Sequence, residues 1–146
     1  MIAPDSKFSS VPVAKFINYI MERGKKSLAQ SIVYGAFDII SQKTKGDALE
    51  VFDKAIRNVG PALEVRGKRV GGANYQIPYP VRAERKFALA SRWIKEAAMK
   101  KKGKPMSEKL AAELMDAANE QGEAFKKKMD VHKMAEANRA FAHFAR

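Results

Sequence analysis

The sequence predicts a mainly α-helical protein: one domain over residues 1–146, with about six helices and a protruding two-stranded β-hairpin arm at about 63–80. Three observations carry that expectation. Apolar residues recur at helical spacing through most of the chain. One segment, "LEVRGKRVGGANYQIPYP", breaks the pattern with strand-like residues around a Gly-Gly pair. No internal repeat or long linker divides the chain.

The elements follow in order. Val13, Phe16, Ile17 and Ile20 fall at i, i+3, i+4 and i+7, one apolar stripe, and Gly24 is the expected stop. A second helix turns Ala29, Ile32, Val33, Ala36 and Ile40 inward. Asp47 is placed to cap a third, with Leu49, Phe52, Ile56 and Val59 on one side. Pro61 ends it and extended structure begins. After Pro80 a fourth helix aligns Phe87, Ala90, Ile94 and Ala97, with Leu89 and Trp93 beside them. Its other side carries Arg85, Arg92 and Lys95, so the indole of Trp93 is expected to point inward. Ser107 is placed to cap a fifth helix through Leu110, Ala111, Leu114, Met115 and Ala118, leaving Glu113 and Asp116 on a solvated face. A sixth is expected from roughly Val131 onward, through Met134, Ala135, Phe141 and Ala142.

The hairpin register follows from its turn. If Gly71-Gly72 forms a two-residue primed turn, Val70 faces Ala73, Lys68 faces Tyr75 and Arg66 faces Ile77 on one side. The other side takes Arg69 with Asn74, Gly67 with Gln76 and Val65 with Pro78. Leu63 and Val65 are the apolar residues at the base, while both faces near the tip carry cations and amides. Such a tip has no side to bury, so the expectation is a mobile arm reaching ~15–20 Å, with the Tyr75 ring free to stack on a base.

Charge narrows the partner. Against 16 Asp+Glu stand 28 Lys+Arg, a net +12, and the apolar fraction of 46% is ample for a core. Residues 63–104 hold twelve basic and three acidic residues, so most of the excess lies mid-chain. Charge so concentrated marks a contact surface for a polyanion. Arg82, Arg85, Arg92 and Lys95 are candidate contacts on the fourth helix, and Lys100, Lys101, Lys102 and Lys104 follow in a run. Lys25 and Lys26, in "RGKKS", sit at a helix-connecting turn whose free N–H groups suit a phosphate. This is not a P-loop, because Tyr19 stands where its first glycine belongs.

Other chemistry finds little support. The chain has no cysteine, which removes disulfides and thiolate metal sites together. His132 and His143 have no partner histidine nearby and read as capped or surface side chains, so no catalytic, metal or cofactor site is assigned. No apolar run approaches the ~20 residues of a membrane span, and "MIAPDSKF" is not a signal peptide, which points to a soluble intracellular protein. A free nucleic-acid-binding regulator would share the basic arm but calls for a dimer with a short preferred site. A membrane-surface protein would place its cations beside one apolar helix face, which these do not.

Four stretches carry a specific resemblance: "KFINYIMERGKKSLAQSIVYGA" (15–36), "LEVRGKRVGGANYQIP" (63–78), "ALASRWI" (88–94) and "AFKKKMDVHKMAEANRAFAH" (124–143). Together, in this order, they resemble the bacterial-type small-subunit ribosomal protein seven family over nearly the whole chain. The resemblance implies six helices with a protruding hairpin. It also implies an early binder of the 3′ major domain of small-subunit ribosomal RNA that organises the subunit head, on a cytoplasmic or organellar ribosome. The family's hairpin lies near exit-site transfer RNA and the messenger path, beside head and platform proteins. Carried over by position, Lys25 and Lys26 match the turn against ribosomal RNA, and Arg92 the arginine before the family's tryptophan. Lys126, Lys127, Lys128, Lys133 and Arg139 fall on the last helical motif. The arm matches through Arg66, Lys68, Arg69, Gly71, Gly72, Asn74, Tyr75 and Gln76, its tip being the part nearest transfer and messenger RNA. Two departures stand out. The family's basic leading tail is not in this sequence, and Phe144-Ala145-Arg146 replaces an aromatic-Arg-Trp ending. Contacts through those two segments are not carried over.

Overall fold

Helix ends here are set by short-range chemistry, and the elements follow from them. A computed structural model of the chain describes residues 2–145, so Arg146 of the departing ending lies outside the described residues. Its order is α1 (Val11–Ile20), α2 (Lys26–Thr44), α3 (Ala48–Val59), β1 (Leu63–Val70), β2 (Ala73–Pro80), α4 (Ala83–Lys100), α5 (Met106–Ala118), α6 (Gly122–Ala137) and a 3₁₀-helix (Arg139–Ala145). The fold class is the expected one, mainly helical with a single antiparallel hairpin. Ser10 Oγ accepts from the Val13 N–H at 3.3 Å to start α1, and Asp47 Oδ1 accepts from the Leu49 N–H at 3.0 Å to start α3. Lys45, at φ 53°, ends α2 in the left-handed conformation.

The core lies among α1 to α5, with α5 packed against α2, α3 and α4. Its aromatic centre is a chain of rings. Phe16 meets Phe52 at 5.0 Å between centroids, and Phe52 meets Phe37 at 5.4 Å. Ile40, Ile94, Leu110 and Leu114 are fully buried around them. Close approach of α2 to α5 depends on Gly35, where a methyl would lie 2.9 Å from Ser107 Oγ. That proximity is why a glycine is kept inside a helix, where it costs about 1 kcal/mol relative to alanine.

Several expectations need correction. α1 ends at Ile20 rather than at Gly24, because the Met21 N–H already closes on Ile17 O and the chain leaves the helical region there. Phe37, absent from the predicted stripe, is buried, while Ile32, Leu49, Ile56, Phe87 and Met115 sit half-buried at the stripe edges. Ser107 does not cap α5. It lies within the first turn and donates to Ile32 O at 3.2 Å, joining α5 to α2. α6 begins at Gly122, well before Val131, and stops at Ala137, so Phe141 and Ala142 belong to the separate 3₁₀-helix. Met134 is exposed.

Glu113 is the largest reversal: it is fully buried, not on a solvated face. Its Oε2 accepts from the Ala124 N–H at 3.4 Å, so a side chain of α5 meets the first turn of α6. Burial pushes its carboxyl above the ordinary range against the Ala124 bond and the Lys101 charge, with Asp116 and Glu123 adding repulsion.

The arm has the predicted register pair for pair, and Gly71 and Gly72 at φ 57° and 86° form the primed turn. Its surroundings differ from expectation. At the base Ile77 and Pro78 are buried, while Leu63 is exposed and Val65 only half-buried. Nearer the tip, the 3₁₀-helix lies along β2. The Tyr75 ring sits 5.0 Å from Phe141 and 5.4 Å from Phe144. Lys68 Nζ donates to Phe144 O at 2.9 Å. The face carrying Lys68 and Tyr75 is thus partly covered, with Lys68 still exposed, because three rings remove apolar surface from water together. Tyr75 is half-buried by these contacts rather than fully exposed.

Candidate nucleic-acid interface

The interface is built from three cation clusters arranged along α4, with the arm tip standing apart. The first lies at the α1–α2 turn. Arg23 and Gly24 both adopt positive φ, 54° and 73°, which reverses the chain and leaves Lys25 and Lys26 exposed at the start of α2. Their own N–H groups bond Glu22 O and Gly24 O. No side chain caps α2, so the next N–H groups in its first turn have no helical acceptor. A cleft of about 320 Å³ joins this turn to α4, with Arg23, Lys25 and Lys95 on its wall and Leu28, Met99 and Met106 in its apolar lining. Lys95 Nζ lies 3.4 Å from Glu22 Oε1. Arg92 is exposed and its guanidinium lies 5.9 Å over the Tyr19 ring.

The second cluster lies where α4 meets α6. A groove of about 240 Å³ is lined by Trp93, Lys100, Lys126 and Lys127, together with Glu96, Glu123 and Asp130. Trp93 is half-buried: its ring packs on the core at one edge and opens to this groove at the other. The predicted inward indole is therefore only partly inward. Arg92 and Lys95 line a pocket with Asn18 and Tyr19 of α1, Lys100 lines the groove against α6, and Glu96 borders both, so a single helix serves two clusters.

The third cluster is at the base of the arm. Glu64 accepts from Arg85 through both oxygens and from Arg66 through one. The Arg85 bond, with help from Arg66, holds the Glu64 carboxyl below its ordinary range despite partial burial. Arg82 and Tyr79 complete the wall of a cleft of about 620 Å³. At the tip, Arg69, Gly71, Gly72, Asn74 and Gln76 are exposed, with Arg69, Asn74 and Gln76 on the face away from the aromatic cover.

The remaining predicted residues are scattered. Lys102, Lys104 and Lys133 are exposed, Lys128 lies 5.3 Å over the Phe125 ring, and Arg139 pairs with Glu136 at 3.2 Å. Lys101 differs from its neighbours: its ammonium lies 3.8 Å from both Glu113 and Asp116 and serves α5. His132 is half-buried, and its Nε2 accepts from the Ala62 N–H at 2.9 Å, tying α6 to the foot of the arm. Sequence reasoning passed over Arg23, although it stands inside the quoted "RGKKS". It also passed over Glu64 and Tyr79, for which Glu64 and Arg66 alternating on one strand face was the available signal. Tyr19 could be placed only once α1 and α4 were packed together.

Among the described residues, no helix is long and apolar enough to cross a membrane. The profile of a family described as "Ribosomal protein S7p/S5e" matches residues 1–139. A small ribosomal subunit protein uS7 of Thermotoga maritima is 62% identical over 143 residues, covering 98% of this chain and 92% of the relative. Proteins of the same description from Chloroflexus aggregans and Caldanaerobacter subterraneus are 56% and 60% identical, over 99% and 98% of this chain and 92% of each relative.

Proposed function

The chain belongs to the ribosomal protein S7p/S5e family and is a structural constituent of the small ribosomal subunit rather than an enzyme; we propose that its body anchors it to ribosomal RNA while its arm serves bound transfer and messenger RNA. In this reading the body binds the 3′ major domain of small-subunit ribosomal RNA early in assembly and organises the head. Lys25 and Lys26 at the α2 turn, Arg92 and the Lys100, Lys126 and Lys127 groove supply phosphate contacts from rigid elements. The tip, with Arg69, Gly71, Gly72, Asn74 and Gln76, reaches exit-site transfer RNA and the messenger path. Tyr75 works within the arm, holding it against the 3₁₀-helix. Neighbouring head and platform proteins complete its surroundings.

One observation carries this division. The tip contributes nothing to the core, yet it is charged and rigidly registered, whereas the body cations sit on helices whose other faces are buried. The test replaces residues 69–74 by a two-glycine turn, which keeps Lys68 and Tyr75 against the 3₁₀-helix. It compares that variant with Lys25→Glu plus Lys26→Glu. Subunit incorporation and exit-site transfer RNA retention are measured side by side. The shortened arm should enter subunits normally and lose retention, and the charge reversal should impair incorporation. Loss of assembly from the shortened arm alone would make the arm an anchor and end this reading.

A further inference from the structure

An acid lines a cleft shared by three arginines in a protein whose net charge is +12. Glu64 and Arg66 lie on the same face of β1, and Tyr79 of β2 stands opposite Glu64. Glu64 Oε2 accepts from Arg85 Nε at 2.6 Å and from Arg66 Nη2 at 3.3 Å, and its Oε1 accepts from Arg85 Nη2 at 3.1 Å. The carboxylate lies beneath the cations: its side chain is 12% exposed, against 54% for Arg66 and 44% for Arg85. Arg66 is fixed from a second side, with its guanidinium 5.3 Å over the Tyr79 ring.

A solvated arginine must be immobilised when it grips a phosphate, and that ordering subtracts from affinity. At the arm base Glu64 holds Arg66 and Arg85 in place before any ligand arrives. The fork of Arg85 is spent on Glu64 along one edge, and most of the donors of both guanidinia remain on the open side. With Arg82 the cleft still carries two more positive charges than negative ones. We propose that Glu64 is a positioning residue for a phosphodiester-binding subsite formed by Arg66, Arg82 and Arg85. The inference rests on the RNA-binding reading above and adds to it a site and a role for an acid.

The proposal runs against simple electrostatics, which makes it decidable. Removing the carboxylate raises the net charge by one and removes repulsion of a phosphate, so a counter-charge role predicts tighter binding. The positioning role predicts weaker binding, because the screened repulsion at an exposed cleft is smaller than the cost of re-ordering two arginines. The experiment titrates the wild type, Glu64→Gln, Arg85→Ala, Arg85→Lys and the Glu64→Gln plus Arg85→Ala pair against a transcript of the 3′ major domain of small-subunit ribosomal RNA. Titrations are repeated at several salt concentrations, with melting curves to confirm folding.

Glu64→Gln should bind about tenfold more weakly, with the slope of log affinity on log salt unchanged because no phosphate contact is deleted. Arg85→Ala should be weaker still and lose about one unit of slope. The pair should be scarcely worse than Arg85→Ala alone. Arg85→Lys keeps the charge without the fork and should resemble Glu64→Gln, so the test stands even if Glu64→Gln fails to fold. If Arg85→Ala weakens binding while Glu64→Gln and Arg85→Lys do not, the positioning role is overturned and the RNA reading survives. If Arg85→Ala also binds like the wild type, the arm base does not touch this RNA and the subsite falls; if the wild type itself fails to bind the transcript, the RNA reading falls.

Discussion

Glu113→Gln tests whether a fully buried carboxyl is carried at a cost. The Glu113 carboxyl has one N–H donor, from Ala124 at 3.4 Å, and one cation, the Lys101 ammonium at 3.8 Å. Among the described residues its Oε1 has no hydrogen-bond partner. Attraction across that distance is on the order of 4 kcal/mol at a surface-like dielectric. Desolvation of a buried ion costs several kcal/mol and outweighs that attraction, so the ionised form carries a net penalty. Burial raises this carboxyl above its ordinary 4.5 in the folded state, so the unfolded chain releases the proton first. Stability from the neutral form is therefore full below pH 4.5 and is lost as pH rises through the folded value. Glutamine cannot ionise and should not show that loss. Melting both proteins by circular dichroism between pH 4.5 and 8 cancels every other titrating group. The melting temperature of Glu113→Gln relative to the wild type should climb across that range, by ~2–4 °C for each kcal/mol of penalty that the carboxylate carries. Lys101→Met should steepen the wild-type decline. Parallel curves for wild type and Glu113→Gln would show that the carboxylate is fully compensated and the reasoning wrong.

Three further outcomes are expected. His132 accepts a hydrogen bond through Nε2, and burial, aided by the Lys128 charge, lowers its pKa below the ordinary 6.5; its contribution is complete above pH 6.5 and declines as pH falls toward the folded value. The protection factor of the Ala62 amide, its exchange corrected for the intrinsic pH dependence, should fall over that interval in the wild type and be low at all pH values in His132→Ala. Trp93→Ala should cost about 2 kcal/mol, less than a fully buried tryptophan, while Arg92→Ala should shift melting little and weaken RNA binding. Trp93 is the sole tryptophan, so its emission should change when RNA fills the α4–α6 groove and stay constant if RNA bypasses it.

Much of the fold was legible because its signals are short-range. A period of 3.6 marks which residues share a helix face, and the stripes through Phe16, Phe52, Ile94 and Leu114 are buried as read. Gly71-Gly72 admits few turns, and once the turn is chosen every cross-strand pair follows, as the arm shows. Asp47 caps the helix it precedes. The candidate site was legible as a set of cations but not as an arrangement. Nothing near Lys101 in the chain distinguishes it from Lys102, yet one serves Glu113 and the other is exposed.

By itself, then, the sequence determined the element types except the closing 3₁₀-helix, the hairpin register, the basic middle of the chain and the family. Only the tertiary structure decided which faces are covered. Periodicity places Glu113 beside Asp116 but not beneath the start of α6, which begins at Gly122 because a carboxyl from α5 waits at its first turn. The alternation of β1 leaves both faces of the arm open, and residues 76 positions away close one of them through Phe144 and its carbonyl. Arg85 reaches Glu64 across 21 residues, so a cation that the sequence shows only as charge is held at a fixed place by an ion pair. Such contacts depend on where the chain returns in space. A local pattern fixes the side that a residue faces, while its partner is fixed by the packing of every element between them.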